Sequence, residues 1–96
     1  MVEEIRNELT EQLFDAVLAL ENKDECYSFF RDIATVGEIE SLSQRFEVAR
    51  MLRQGVTYEK IVEETGVSTA TISRVKRALE YGEGGYEILL DRLETE

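Results

Sequence analysis

The stretch that decides the fold runs from Thr57 to Leu79 and reads TYEKIVEETGVSTATISRVKRAL. Its apolar residues recur at helical spacing on both sides of Gly66. Gly66 stands where a chain leaving one short helix needs a residue that tolerates positive φ, and Ser68 or Thr69 can cap the next helix. Two short helices joined by a tight glycine-containing turn form a helix-turn-helix. The sequence therefore predicts a helix-turn-helix over residues 57–79.

The polar face of the second of these helices carries small hydroxyls and cations, with no carboxylate between Ser68 and Leu79. Small side chains admit close approach to base edges, and cations hold phosphate, so this face is typical of a helix that reads DNA. The alternative is an ordinary helical hairpin whose polar face is merely solvated. The candidate DNA-binding residues are Lys60, Ser68, Thr69, Ala70, Thr71, Ser73, Arg74, Lys76 and Arg77.

The charge of the chain is unevenly distributed, and its distribution favours the DNA-binding interpretation. The formal net charge is −10, but residues 41–80 carry seven basic and five acidic side chains. Residues 1–40 carry three basic and eleven acidic side chains, and residues 81–96 carry one and five. Net charge alone argues against DNA, because like charges repel. A face that is solvated by chance on so acidic a chain would nevertheless contain carboxylates.

Length and composition exclude several classes of protein. A chain of 96 residues forms one small domain, and 43% apolar residues is normal for a folded chain. No apolar run approaches the ~20 residues of a membrane span, and the acidic N-terminus lacks a secretory signal, so we expect a cytoplasmic protein with no membrane partner. With no His and a single Cys26, the sequence predicts no metal site, no cofactor and no enzymatic activity.

The absence of proline and the scarcity of alternating β-branched residues predict an all-α chain of about six helices. The first helix is expected from about Glu3 to Leu20. Its apolar face is too wide for one small core to cover, which favours a second copy of the chain over a single amphipathic helix lying on its own core. Residues 1–34 are therefore interpreted as dimerisation helices.

Local signals place the remaining helices. Asp24 is a candidate N-cap for a second helix whose core spacing is set by Cys26, Phe29, Phe30 and Ile33. Thr35-Val36-Gly37-Glu38 reads as a capping box that begins a long helix ending near Gln54, with Gly55 after it. We expect a core over residues 35–80, an end to the second helix of the pair at Tyr81 and the glycines after it, and a C-terminal helix over residues 86–94.

The segment from Thr35 to Leu79 resembles the Trp repressor family. The residues that carry the resemblance are Thr35, Glu38, Glu40, Leu42, Arg45, Leu52, Arg53, Gly55, Gly66 and the run Ala70–Arg74. With the phrases QLFDAVLAL, QRFEVARMLRQG and STATISRVKRAL, the whole chain is similar to the YerC/YecD group of Trp-repressor-like proteins. The resemblance implies an intertwined homodimer and sequence-specific transcriptional regulation, with repression as the expected direction.

The family's tryptophan pocket carries over in part. Arg45 and Arg74 match the two arginines that sandwich the indole ring, and Thr35 matches a residue at the pocket mouth. Val75 stands where the repressor has glycine, and Ala78 replaces a serine that holds the amino group, so we expect no tryptophan corepressor. The favoured interpretation of Arg45 and Arg74 is a phosphate contact or an ion pair with a nearby carboxylate such as that of Glu47.

A second class of function is compatible with the same sequence. The acidic segments from Glu3 to Glu40 and from Glu83 to Glu96 suit an acidic dimeric protein-interaction module. In such a module the helix-turn-helix would be a docking surface for another protein. Loss of Lys76 and Arg77 separates the two alternatives, because a regulator then loses DNA affinity and a docking module need not be affected.

Overall fold

The computed structural model describes residues 2–94, and every regular element within them is helical. A 3₁₀ turn at Val2–Glu4 precedes six α-helices. They are α1 (Glu8–Ala19), α2 (Lys23–Ile33), α3 (Val36–Arg53), α4 (Tyr58–Thr65), α5 (Thr69–Tyr81) and α6 (Gly85–Glu94). The expected all-α fold of six helices is confirmed. None of the helices in this part of the chain is long and apolar enough to cross a membrane.

The chain divides into two compact units, Met1–Ile39 and Glu40–Glu96. In the first unit, the expected starts of both helices are wrong. Asn7 caps α1, since its Oδ1 accepts from the backbone N–H of Thr10 at 3.0 Å and its own N–H donates to Thr10 Oγ1 at 3.0 Å. The helix therefore begins at Glu8 rather than near Glu3. Asn22, not Asp24, caps α2 by accepting from the backbone N–H of Glu25 at 2.9 Å.

The first unit has no buried core of its own among its described residues. Neither α1 nor α2 contains a buried residue. Leu9 is 77% exposed and Leu18 is 83% exposed. Phe29 and Phe30 meet edge to face with ring centroids 5.3 Å apart, yet both stay half-buried, as does Cys26. The residues that the spacing of α2 marks as core are therefore not enclosed by a single chain.

The capping box that begins α3 is confirmed. The backbone N–H of Glu38 donates to Thr35 Oγ1 at 3.1 Å, and the backbone N–H of Thr35 donates to Glu38 Oε1 at 2.8 Å. These hydrogen bonds lower the pKa of the Glu38 carboxyl. At the other end, Gly55 follows the helix with φ 82°, the left-handed conformation that glycine adopts without strain.

The core of the second unit is formed where α3, α4, α5 and α6 meet. The buried side chains are Val48, Ala49, Met51, Ile61, Val67, Ile72, Val75 and Leu90. Ile61 and Ile72 have no exposed surface, so the core ties α4 to α5 as their spacing predicts. Burial of this kind stabilises by roughly 1.5–3 kcal/mol per large aliphatic side chain. It fixes which face of α5 points inward and which is left for a partner.

The C-terminal helix α6 is attached to α3 by one apolar and several ionic contacts. Leu90 is buried in the core of the second unit. Arg53 Nη1 lies 3.4 Å from Glu87 Oε2, and Arg53 Nη2 lies 3.5 Å from Glu94 Oε2. Nη2 also pairs with Asp91 Oδ1. The Asp91 contact is the main cause of the raised pKa of Arg53. Arg53 thus occupies three carboxylates of the acidic C-terminal segment.

Candidate nucleic-acid interface

The turn between α4 and α5 is held by a chain of side-chain and backbone hydrogen bonds. Gly66 takes φ 76° and its N–H donates to Val62 O at 2.8 Å. Thr65 Oγ1 donates to Ile61 O at 2.7 Å and accepts from the backbone N–H of Val67 at 3.2 Å. The predicted role of Gly66 is confirmed, because a residue with a Cβ adopts this φ only with strain. The turn is therefore short and fixes α5 against α4.

Hydroxyl caps begin both helices of the pair. Thr57 Oγ1 accepts from the backbone N–H of Lys60 at 3.3 Å. Ser68 Oγ accepts from the backbone N–H of Thr71 and donates to Thr71 Oγ1, both at 3.2 Å. Of the two residues expected to cap α5, Ser68 takes the role. Thr69 makes no hydrogen bond within residues 2–94 and is exposed at the first position of α5.

The candidate cations fall into two groups by their surroundings. Lys60 Nζ lies 3.5 Å from Glu64 Oε1, and Lys76 Nζ lies 3.8 Å from Glu80 Oε1. Lys76 Nζ also lies 5.7 Å from the centroid of the Tyr58 ring, within cation–π distance. By contrast, Arg74 and Arg77 are exposed and form no ion pair with any described residue. The structure thus distinguishes Lys76 from Arg77, although the two are adjacent in sequence.

The ion pair between Arg45 and Glu47 that the sequence left open does not form. Glu47 is bound by Arg50, whose Nε donates to Oε1 and whose Nη2 donates to Oε2, both at 2.7 Å. The reason is helical geometry, since residues two apart on a helix do not face each other while residues three apart do. The hydrogen bond from Arg50 lowers the pKa of the Glu47 carboxyl.

The three residues of the candidate ligand pocket do not share one unit. Arg45 on α3 and Arg74 on α5 belong to the second unit. Thr35 belongs to the first unit, where its hydroxyl accepts the hydrogen bond that caps α3. Val75 is 1% exposed and its side chain is packed in the core. Ala78 lines an open cavity of about 400 Å³ with Phe46, Tyr86 and Leu89.

Sequence reasoning missed three residues of this region. Tyr58 lies beside Lys76, Arg53 pairs with α6, and Tyr81, which ends α5 as expected, lies with Arg74 and Arg77 along one groove. The spacing of Tyr81, four residues after Arg77, was a usable signal. Arg53 lies 34 residues from Glu87 and 38 residues from Asp91, so no local pattern could have connected them.

These elements define a helix-turn-helix protein. Residues 8–94 match the family described as Trp repressor protein, and the chain belongs to that family. It is 57% identical over 96 residues to the uncharacterised protein YerC of Bacillus subtilis, an alignment covering 99% of this chain and 92% of YerC. The resemblance predicted from the sequence is confirmed.

Solved structures show the same fold. A candidate Trp repressor from Staphylococcus aureus is 54% identical and superposes with a TM-score of 0.94, covering 100% of this chain and 96% of that one. A TrpR-like protein from Eubacterium eligens is 54% identical with a TM-score of 0.93, covering 96% of this chain and 95% of its own. The Trp-repressor-like fold expected from the sequence is therefore confirmed.

Proposed function

We propose that the protein is a sequence-specific DNA-binding transcriptional repressor that acts as a homodimer through α4 and α5. One observation carries this proposal. Arg74 and Arg77 stand exposed on α5 without an ion pair among residues 2–94, in a chain with 21 acidic and 11 basic side chains. The other two cations of α4 and α5, Lys60 and Lys76, each have a carboxylate nearby. Arginines that remain unpaired in so acidic a chain are available to bind an external anion, and the phosphate backbone of DNA is such an anion.

The start of α5 suits contact with bases. Ser68, Thr69 and Ala70 are exposed and short, so a groove wall can approach them closely. In helix-turn-helix proteins the N-terminal end of the recognition helix contacts base edges. The hydroxyl of Thr69 is the one at this end with no hydrogen bond inside the described chain. Membership of the Trp repressor family supports the same assignment.

The homodimer is supported by the exposed apolar surface of the first unit. Leu9, Leu18 and Tyr27 are each more than three-quarters exposed, and no residue of α1 or α2 is buried. Covering exposed apolar surface with a partner lowers the free energy by roughly 25 cal/mol for each Å² buried, so a surface of this extent favours association. A second copy of the chain brings the same apolar surface. In a dimer, two recognition helices would read half-sites about 34–36 Å apart.

Tryptophan is not part of the proposed function. Val75 stands where the family's pocket has glycine, and Ala78 offers no hydroxyl to an amino group. A buried ammonium without that hydrogen bond costs about 1–3 kcal/mol. The remaining second candidate is the acidic protein-interaction module, which the exposed apolar surface of the first unit also suits.

The test is a selection of bound fragments from random double-stranded DNA with the purified protein. We expect a two-fold symmetric motif to be enriched. The double variant Arg74→Ala, Arg77→Ala should then lose about tenfold or more in affinity for the enriched DNA. The control double variant Arg6→Ala, Arg31→Ala removes the same two charges from exposed residues of the first unit and should leave affinity unchanged. A selection that enriches no motif, or a double variant that binds as tightly as the parent, contradicts the proposal and favours the interaction module.

A further inference from the structure

We propose that Tyr81 extends the DNA-binding surface of α5 by donating its phenolic hydrogen to a backbone phosphate oxygen. This inference rests on the proposed function and adds a contact to it. It starts from a set of four residues on α5, here named the α5 stripe: Ala70, Arg74, Arg77 and Tyr81. At about 3.6 residues per turn, the four lie within about 60° of one another around the helix. They also line one open groove of about 500 Å³.

Tyr81 differs from the other tyrosines of the second unit. The Tyr58 ring supports Lys76, and the Tyr86 ring lies 6.4 Å from that of Phe46. Tyr81 is 81% exposed, and its side chain makes no hydrogen bond or ring contact with any residue from 2 to 94. A tyrosine that contributes nothing to its own core retains both an apolar ring and a free donor. Tyrosine is one of the side chains that commonly bond phosphate oxygens of DNA.

The position of Tyr81 along α5 selects the backbone over the bases. At about 1.5 Å per residue, Tyr81 lies about 16 Å beyond Ala70 along the helix axis. The major groove is about 12 Å wide, so a helix whose first turn contacts bases has its far end at the phosphate wall. Arg77 lies one turn before Tyr81 on the same side. The two side chains are therefore placed to contact neighbouring phosphates.

Lys76 lies off the stripe and supplies a matched control. It is about 100° from Arg77 and about 160° from Arg74 around the helix. Its ammonium is near Glu80 and the Tyr58 ring. Ser73, Lys76 and Glu80 also border the groove, and the Glu80 carboxylate lies 3.8 Å from Lys76 Nζ. Lys76 and Arg77 thus carry the same charge on the same helix turn with different surroundings.

The experiment measures binding by fluorescence anisotropy to the selected DNA and to random DNA at several salt concentrations. The proteins are the parent, Tyr81→Phe, Arg77→Ala and Lys76→Ala. We expect Tyr81→Phe to weaken binding to both DNAs by about three- to tenfold, since one hydrogen bond is lost. The slope of affinity against salt should not change, because no charge is removed. Arg77→Ala should reduce that slope by about one, and Lys76→Ala should reduce it less, because the Lys76 ammonium already lies beside the Glu80 carboxylate.

Each other outcome has a distinct meaning. Parental affinity in Tyr81→Phe overturns the phosphate contact, and so does a loss confined to the selected DNA, which would indicate base reading. A salt slope reduced equally by Lys76→Ala and Arg77→Ala overturns the α5 stripe. A parent protein that binds neither DNA overturns the proposed function and this inference with it. Phenylalanine keeps the ring of an exposed residue, so matched melting curves are expected and exclude misfolding.

Discussion

Arg50 binds the Glu47 carboxylate through two hydrogen bonds of 2.7 Å, one donated by Nε and one by Nη2. Parallel bonds of this kind fit the guanidinium fork to both carboxylate oxygens. The pair lies on α3, where the spacing of three residues brings Arg50 and Glu47 to the same face. Arg45, two residues before Glu47, does not face this carboxylate and lies half-buried with no ion pair to any described residue.

The first prediction concerns the pH dependence of this pair. The hydrogen bond from Arg50 lowers the pKa of Glu47 below its ordinary value of 4.5. A carboxyl with a depressed pKa stabilises the fold above its unfolded pKa, and the stabilisation is lost as pH falls through the folded pKa. Both side chains are over 40% exposed, so the contribution is below about 1 kcal/mol. Urea unfolding should show Glu47→Gln less stable than the parent at about pH 7, with the difference shrinking below about pH 4.5. A difference that widens at low pH contradicts the assignment.

The second prediction concerns the exposed apolar surface of α1. If a second copy covers it, light scattering of the folded protein should return about twice the 11.0 kDa of one chain. Leu18 is 83% exposed in the single chain, and we expect a second copy to cover it. Leu18→Glu would bury a charge at that interface, so it should dissociate the dimer or unfold it. Gln12→Glu adds the same charge to an exposed polar position of α1 and serves as the control. A folded species of 11.0 kDa at micromolar concentration would refute the dimer.

The third prediction concerns tryptophan. Because Val75 occupies the glycine position and Ala78 lacks a hydroxyl, millimolar L-tryptophan should change neither the Tm nor the DNA affinity. A ligand present at a hundred times its Kd would stabilise by about 2.7 kcal/mol, which a melting curve detects easily. Ala78→Ser restores the hydroxyl alone and indicates whether Val75 is sufficient to prevent binding. An upward shift of the Tm in the parent protein would show that the pocket is open.

The fourth prediction separates reading from capping at the start of α5. Thr69→Val keeps the shape and removes a hydroxyl that has no partner in the described chain, so it should cost about 1–3 kcal/mol on the selected DNA and little on random DNA. Ser68→Ala removes the cap and should cost about 1 kcal/mol of folding free energy, measured by denaturant unfolding. Equal weakening of both DNAs by Thr69→Val would place Thr69 on the backbone instead.

Local chemistry determined how much of this fold could be predicted from sequence. The capping box of Thr35 and Glu38 acts between residues three apart, and Gly66 acts through a hydrogen bond to a residue four positions earlier. Both roles were therefore predictable from the local sequence. The start of α1 was not, because Ile5 continues the apolar spacing while Asn7 and Thr10 exchange hydrogen bonds that end it. At this point the apolar periodicity predicted a longer helix and the hydrogen bonds of Asn7 and Thr10 began a shorter one, and the hydrogen bonds determined the start.

The residue types of the candidate site could be predicted from the sequence, but the contacts that each of them makes could be predicted less well. The absence of carboxylates between Ser68 and Leu79 was visible in the sequence, and the exposed Glu80 follows directly after that run. The difference between Lys76 and Arg77 was not, since it depends on a tyrosine eighteen residues earlier and on helix phase. The attachment of α6 through Arg53 depends on contacts between distant segments, and a sequence pattern contains no distance of that kind.

The gathering of carboxylates around Arg53 has a kinetic consequence. Arg53 pairs with Glu87, Asp91 and Glu94, so these carboxylates lie between α3 and α6 rather than beside Arg74 and Arg77 of α5. Opposite charges on different sides of one small body make an electric dipole. In the field of a duplex, such a body turns its cationic side forward before collision, and the rate of productive encounter rises although total charge opposes approach. The negative charge of α6 then disfavours orientations that turn this helix toward the duplex, relative to those that present α5.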